Sequence, residues 1–258
     1  MDWLYTLSGF AVGAIVGLTG VGGGSLMTTL LVLLFGIHPA TAVGTDLLYA
    51  AVTKAGGTVV HGRKGHVEWR ITGLLAAGSI PAAALTIWAL SYLPKRSPEV
   101  THLISVSLGV ALLLTACAIV FRKQLLKYAQ THDNSDLRRS STGRMTILVG
   151  AILGVLVSIS SVGAGALGVA ALFFLYPKLP SIRVVGSDVA HAVPLTLVAG
   201  LGHWWLGSVD WSLLGSLLLG SLPGIWVGSH VSAKVPEKIL RPILASMLVV
   251  IGGKLIAS

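Results

Sequence analysis

Ten apolar runs follow one another along the 258 residues, at 3–20, 23–36, 40–60, 69–93, 100–121, 145–161, 163–176, 184–206, 211–230 and 238–257, with short breaks between them except for the long one after 121. A helix needs about 20 apolar residues to cross a hydrocarbon core of about 30 Å, and most of these runs are near that length. None alternates apolar and polar positions at period two over long stretches, which argues against a transmembrane β-barrel. The pattern predicts an all-α polytopic membrane protein of about 8–10 membrane segments. The opening "MDWLYTLSGF" has no basic region ahead of its apolar run and no small-residue cleavage site, so it is expected to be the first helix and not a signal peptide.

Composition agrees with the pattern. Hydrophobic residues make up 54% of the chain, charged residues only 10%, and the mean hydropathy is +0.86. The net charge of +9 would suggest a nucleic-acid partner in a soluble chain. Here the basic residues fall mainly in the gaps between apolar runs, where they orient helices and meet anionic lipid, so the partner expected is the bilayer and not nucleic acid. The single cysteine, Cys117, cannot form an intramolecular disulfide.

The chain repeats itself. At a shift of 141 positions, Gly9, Gly13, Val21, Gly22, Gly24, Leu26 and Pro39 meet Gly150, Gly154, Val162, Gly163, Gly165, Leu167 and Pro180. Beyond Pro39 the shift becomes 142, and "GTD" at 44–46 meets "GSD" at 186–188. His61, Gly65, Val67, Glu68 and Trp69 then meet His203, Gly207, Val209, Asp210 and Trp211, and "GSIP" at 78–81 meets "GSLP" at 220–223. Two homologous transmembrane halves, 1–121 and 145–258, are therefore expected on either side of a hydrophilic, basic linker at 122–144.

An odd number of crossings in each half makes the halves inverted. The linker then shares a side with "GRKGHVEWR", "YPKLPSIR" and "KVPEKILR", which collects 14 of the 18 Lys and Arg residues, against Lys95, Arg96 and Lys254 on the other side and Lys54 within a helix. The positive-inside rule places the crowded side, and with it the linker, in the cytoplasm. Both termini are expected to face outward.

The stretch "GLTGVGGGSL" at 17–26 interrupts an apolar run. It does not fit a phosphate loop, because Leu26 stands where a Lys is required and no strand precedes it. Gly9, Gly13 and Gly17, and likewise Gly150, Gly154 and Ser158, are spaced four apart, as in close helix packing. Gly22, Gly23 and Gly24 are not accounted for by packing, and three consecutive glycines cost a helix about 1 kcal/mol each. A broken helix exposes backbone N–H groups that need a partner. Inversion would aim two such half-helix N-termini at one central region, each with about half a positive charge, which makes an anion site. Gly22, Gly23, Gly24 and Ser25 in the first half, with Gly163, Ala164 and Gly165 in the second, are candidate substrate-binding residues. A purely structural loop is the alternative.

The glycines four apart leading into "GVGGG", the segment "HPATAVGTD", the second copy ending in "VGSD" and the basic central loop resemble the TauE/SafE sulfite and organosulfonate exporter family, also called the toluene sulfonate uptake permease family. The resemblance covers nearly the whole chain. It implies a multi-pass transporter in the bacterial inner membrane that carries small sulfur-containing anions such as sulfite or organosulfonates, with some members working as importers.

Asp46 and Asp188 lie within apolar runs at mirrored positions, where a charge is costly and a function is expected by default. Each either caps the broken backbone of its own half or carries a proton, with proton coupling the more useful reading beside an anion. Lys54 follows Asp46 by eight residues, some 12 Å along the helix. Its counterpart is Thr196, so the expected site is not symmetric. Lys54 contacts the anion or snorkels to the cytoplasmic face. Thr45 and Ser187, the hydroxyl residues of GTD and GSD, join the substrate-binding candidates. Tyr49 and His191 follow their aspartates by three residues on nearly the same helix face, and with the paired His61 and His203 they are candidates for coupling or gating. The histidines show no metal-ligand spacing, and neither a metal nor a cofactor is expected. The ionisable residues are spread over two mirrored places and do not converge as at a catalytic centre, which favours a transporter over a membrane-embedded enzyme. Direction, substrate and oligomeric state stay open at this level, a homodimer being compatible with the chain.

Overall fold

A computed structural model describes residues 3–19, 24–93, 98–121, 124, 135–231 and 237–257. Ten helices follow in chain order: α1 Trp3–Thr19, α2 Gly24–Leu33, α3 Pro39–Arg63, α4 Trp69–Ser91, α5 Pro98–Val120, α6 Ser135–Ser160, α7 Ala166–Leu175, α8 Ser181–Trp205, α9 Trp211–Val231 and α10 Glu237–Ala257. Each apolar run holds one helix, and the described residues contain no strand. The protein is an all-helical, polytopic membrane protein. Among the described residues, five helical stretches are long and apolar enough to cross a bilayer, namely α4, α5, 142–160 of α6, α8 and 211–228 of α9. Residues 135–144, assigned to the linker on the sequence pattern, continue α6 as helix.

The glycine motifs limit the helices that follow them. α2 and α7 have ten residues each, about 15 Å of rise and half the hydrocarbon thickness. α3 and α8 have 25 residues each and end alike. Gly65 and Gly207 sit at φ +67 and +72, and His66 and Ser208 donate their N–H groups to the carbonyls of His61 and His203 at 2.9 Å. These are Schellman-type closures, which need a residue tolerant of the left-handed region.

The halves interlock through small residues. Gly9 and Gly13 on α1 lie against the backbone of Leu217 and Ser221 on α9. Gly150 and Gly154, their counterparts on α6, lie against Leu75 and Ser79 on α4. Both pairs of helices run parallel, and a side chain at any of these glycines would collide with a carbonyl of the partner. α3 and α8 pack antiparallel, with Leu48 against Gly200 at one end and His61 and His66 against Gly186 at the other. Trp69, Trp204, Trp205 and Trp211 are exposed at helix ends, as in an aromatic belt.

Candidate functional site

The three residues of GTD and GSD have three separate tasks, repeated in both halves. Gly44 permits the approach of the Ser208 carbonyl and the His203 side chain, and Gly186 does the same for the His66 carbonyl and His61 Nδ1. The next residue then reaches across the halves. Thr45 Oγ1 accepts the N–H of Asp210 at 3.1 Å, and Ser187 Oγ accepts the N–H of Glu68 at 2.8 Å. Glu68 and Asp210 immediately precede α4 and α9, so each hydroxyl anchors the start of a helix of the opposite half. Arg183 adds an ion pair to Glu68 at 2.5 Å. Thr45 and Ser187, ligand candidates on the sequence pattern, thus have their hydroxyls engaged with backbone.

The aspartates point into the protein, 0% and 1% exposed. Their surroundings differ. Asp46 Oδ2 accepts hydrogen bonds from Thr28 of α2 and, at 2.9 Å, from Ser161 of the turn between α6 and α7. The positions equivalent to Thr28 and Ser161 are Val169 and Gly20, which have no hydroxyl. Neither oxygen of Asp188 has a hydrogen-bond partner among the described residues. The Asp188 carboxyl lies instead on the backbone of Gly168 in the first turn of α7, where any side chain would overlap it.

Three residues beyond each aspartate, a second polar group also reaches the other half. His191, fully buried, shares a 2.8 Å hydrogen bond with Ser79 of "GSIP". Tyr49 lies beside Ser221 of "GSLP", without a well-formed hydrogen bond. His203 donates from Nε2 to the Ser158 carbonyl at 2.8 Å, while His61 Nδ1 has no partner among the described residues.

Lys54 does not run along α3 toward the surface. Its ammonium donates to the Ala164 carbonyl at 2.8 Å, within the turn that breaks the second half. That turn holds Ser161, Gly163 and Gly165 at φ +58, +125 and +137, so the two glycines satisfy a backbone that other residues rarely adopt. Gly165 caps α7 without any side-chain hydrogen bond; the Gly168 N–H is taken by the Gly163 carbonyl at 3.1 Å, which leaves the N–H groups of Ala166 and Leu167 without an acceptor inside the helix. The Lys54 charge acts on Asp46, Asp188 and His191, and on the antiparallel helix pair Lys54 falls between the two aspartates.

Of the candidates from sequence, Gly163, Ala164, Gly165, Lys54, Asp46, Asp188 and His191 are brought around one centre. Gly22 and Gly23 lie outside the described residues; Gly24 and Ser25 open α2, and the Ser25 side chain is likewise outside them. Sequence reasoning missed Thr28, Ser161, Gly168 and the serines Ser79 and Ser221. Only the two serines carried a signal, their place in the repeated GSxP. Among the described residues no group of three His, Cys, Asp or Glu is arranged to hold a metal ion.

Half-length helices, small-residue interlocks and ionisable groups enclosed among apolar helices define a multi-pass membrane transporter, and the comparisons agree. A model of the family "Sulfite exporter TauE/SafE" matches residues 5–255. The chain belongs to the TauE/SafE family. It is 40% identical over 250 residues, 97% of this chain and 98% of the relative, to "Probable membrane transporter protein YjnA" of Bacillus subtilis (strain 168). It is 31% identical to "Probable membrane transporter protein YunE" of the same organism, over 96% of this chain and 94% of the relative. To "Probable membrane transporter protein MJ0441" of Methanocaldococcus jannaschii it is 25% identical, over 96% and 93%. No solved structure matches the chain.

Proposed function

We propose that the protein is a secondary transporter of small sulfur-containing anions, sulfite or organosulfonates, that works in the bacterial inner membrane as an exporter with proton coupling. The observation that carries this reading is the centre formed by Lys54, the open first turn of α7 and the buried acids Asp46 and Asp188. A cation and unsatisfied N–H groups attract an anion, and an ionisable carboxyl beside them supplies a proton-binding group. The name of the matching family supports the substrate class.

The antiparallel contact of the equivalent helices α3 and α8 supports inverted halves, and with the distribution of basic residues it supports outward termini and a cytoplasmic linker. Import of the same anions is the competing direction. Counterflow in proteoliposomes against sulfite, sulfate, thiosulfate, taurine and sulfoacetate tests the substrate class, and imposed anion gradients of either sign test the direction. Flux of none of the five anions would overturn the reading.

A further inference from the structure

We infer that Asp188 and the transported anion are alternative partners of Lys54, so that a singly charged anion binds together with one proton, carried by Asp188, while Asp46 is a positioning residue. The inference rests on the transporter reading above and assigns its coupling step.

The two carboxyls occupy equivalent sequence positions but not equivalent surroundings. Asp46 ties three pieces of the chain together: α2 through Thr28, its own α3, and the 161–165 turn through Ser161. Both hydroxyls donate to the same oxygen, Oδ2, while Oδ1 has no partner among the described residues; two donors on one oxygen are the arrangement that a carboxylate holds best. Asp188 has no such ties. It is buried, has no hydrogen-bond partner among the described residues, and rests against Gly168 in the first turn of α7, where the preceding Ala166 and Leu167 N–H groups have no acceptor inside the helix.

The ionisable groups that face Asp188 are few. α3 presents Lys54 and, further toward its end, His61, while α8 itself presents His191. α7 carries no ionisable residue, and Arg70 of α4 and Arg144 of α6 are exposed. Lys54 is therefore the cation for which a carboxylate at 188 and an anion at the α7 terminus compete. One of its three donors is taken by the Ala164 carbonyl, which holds it at the turn. With Asp46 ionised, Lys54 balances one negative charge, and a second fits only if Asp188 is neutral.

The cycle balances. A proton from the entry side neutralises Asp188, the anion takes the free donors of Lys54 and the α7 N–H groups, and both leave on the other side, after which Lys54 faces the Asp188 carboxylate. The movement is electroneutral for a singly charged anion. An inward proton gradient then draws the anion inward, and export proceeds where the internal anion concentration outweighs that gradient.

Infrared titration of the carboxyl stretch of the purified full-length protein tests the assignment without transport. A band that appears on acidification should vanish in Asp188→Asn, remain in Asp46→Asn, and change position in Asp188→Glu, which keeps a titrating group if the Asn variant does not fold. Hydrogensulfite and methanesulfonate, both singly charged, and the dianions sulfate and thiosulfate are then added in turn as probes. A singly charged ligand at about ten times its dissociation constant should move the midpoint up by about one pH unit in the wild type and not in Lys54→Gln. A band that survives Asp188→Asn, or that is lost in Asp46→Asn, would overturn the assignment. So would a probe that is transported but leaves the midpoint in place. If none of the probes is transported, the substrate reading fails while the two Asn variants still judge the carrier.

Discussion

Ser161, in the turn that breaks the second half of the chain, donates a 2.9 Å hydrogen bond to Asp46 of the first half. Ser161 also sits at φ +58, a conformation that costs a residue with a Cβ about 1–2 kcal/mol. Ser161→Ala removes the donor and keeps that cost, whereas Ser161→Gly removes the donor and relieves it. Hydrogen bonds to charged groups are worth about 1.5–3 kcal/mol. Thermal melts in detergent should therefore order wild type above Ser161→Gly above Ser161→Ala. Ser161→Ala melting together with the wild type would mean that the hydroxyl contributes nothing to the turn.

Glycines of the interlock should be intolerant and exposed ones tolerant. A methyl group at Gly44 or Gly186 meets a backbone carbonyl of the other half, while at Gly56 and Gly73 it meets nothing within 4 Å. Gly44→Ala and Gly186→Ala are expected to lower the yield of folded protein sharply. Gly56→Ala and Gly73→Ala should leave it equal or higher, since Ala favours a helix interior by about 1 kcal/mol. Size-exclusion profiles of the four variants compare them directly.

The two hydroxyl anchors should behave as twins. Thr45→Val and Ser187→Ala each leave a helix-leading N–H, of Asp210 or Glu68, without its acceptor. Each is expected to cost about 1–3 kcal/mol of stability, and the double variant about the sum, because the sites share no partner. Melting of the single and double variants checks both statements. Loss of substrate affinity without loss of stability would return Thr45 and Ser187 to the ligand set.

Inversion of the halves puts the 122–144 stretch and the loop at Gly207 on opposite sides of the membrane. Cys117 is the single cysteine of the chain, so Cys117→Ala provides a clean background. Cysteines placed at Ser135 and Ser208 should then react with a membrane-impermeant maleimide from opposite sides in oriented vesicles. Labelling from one side only would reject the inverted arrangement.

Lys54 should separate charge from shape. Lys54→Met removes the ammonium that meets the Ala164 carbonyl and should abolish anion flux, while Lys54→Arg should keep a reduced fraction, because its cation survives with a different reach and hydrogen-bonding plane. Initial rates in proteoliposomes give the comparison. Equal flux in the two variants would remove Lys54 from the site.

The helices were legible in the apolar runs because a membrane segment must be apolar along most of its length, and each run does hold one helix. The repeat also marked the equivalence of Asp46 with Asp188 and of His61 with His203. The start of α6 was not legible in this way: residues 135–144 are hydrophilic, so no apolar period announced that the helix begins there. Thr28 gave no sign of its task either, since a threonine in a ten-residue apolar helix reads as a neutral filler until Asp46 is placed beside it.

By itself, the order of residues determined that this protein is a polytopic bundle of helices, where the apolar part of each helix falls, and which positions of the two halves correspond. These are local properties, set by hydropathy over single segments and by glycine and proline in the chain. The tertiary structure decided what the corresponding positions do. Thr45 and Ser187 bind backbone of the opposite half, Lys54 reaches Ala164 more than a hundred residues away, and Asp46 is held by hydroxyls while Asp188 has no hydrogen-bond partner among the described residues. Burial and hydrogen bonding are relations between segments, so two aspartates in the same motif acquire different chemistry only when the helices around them are packed.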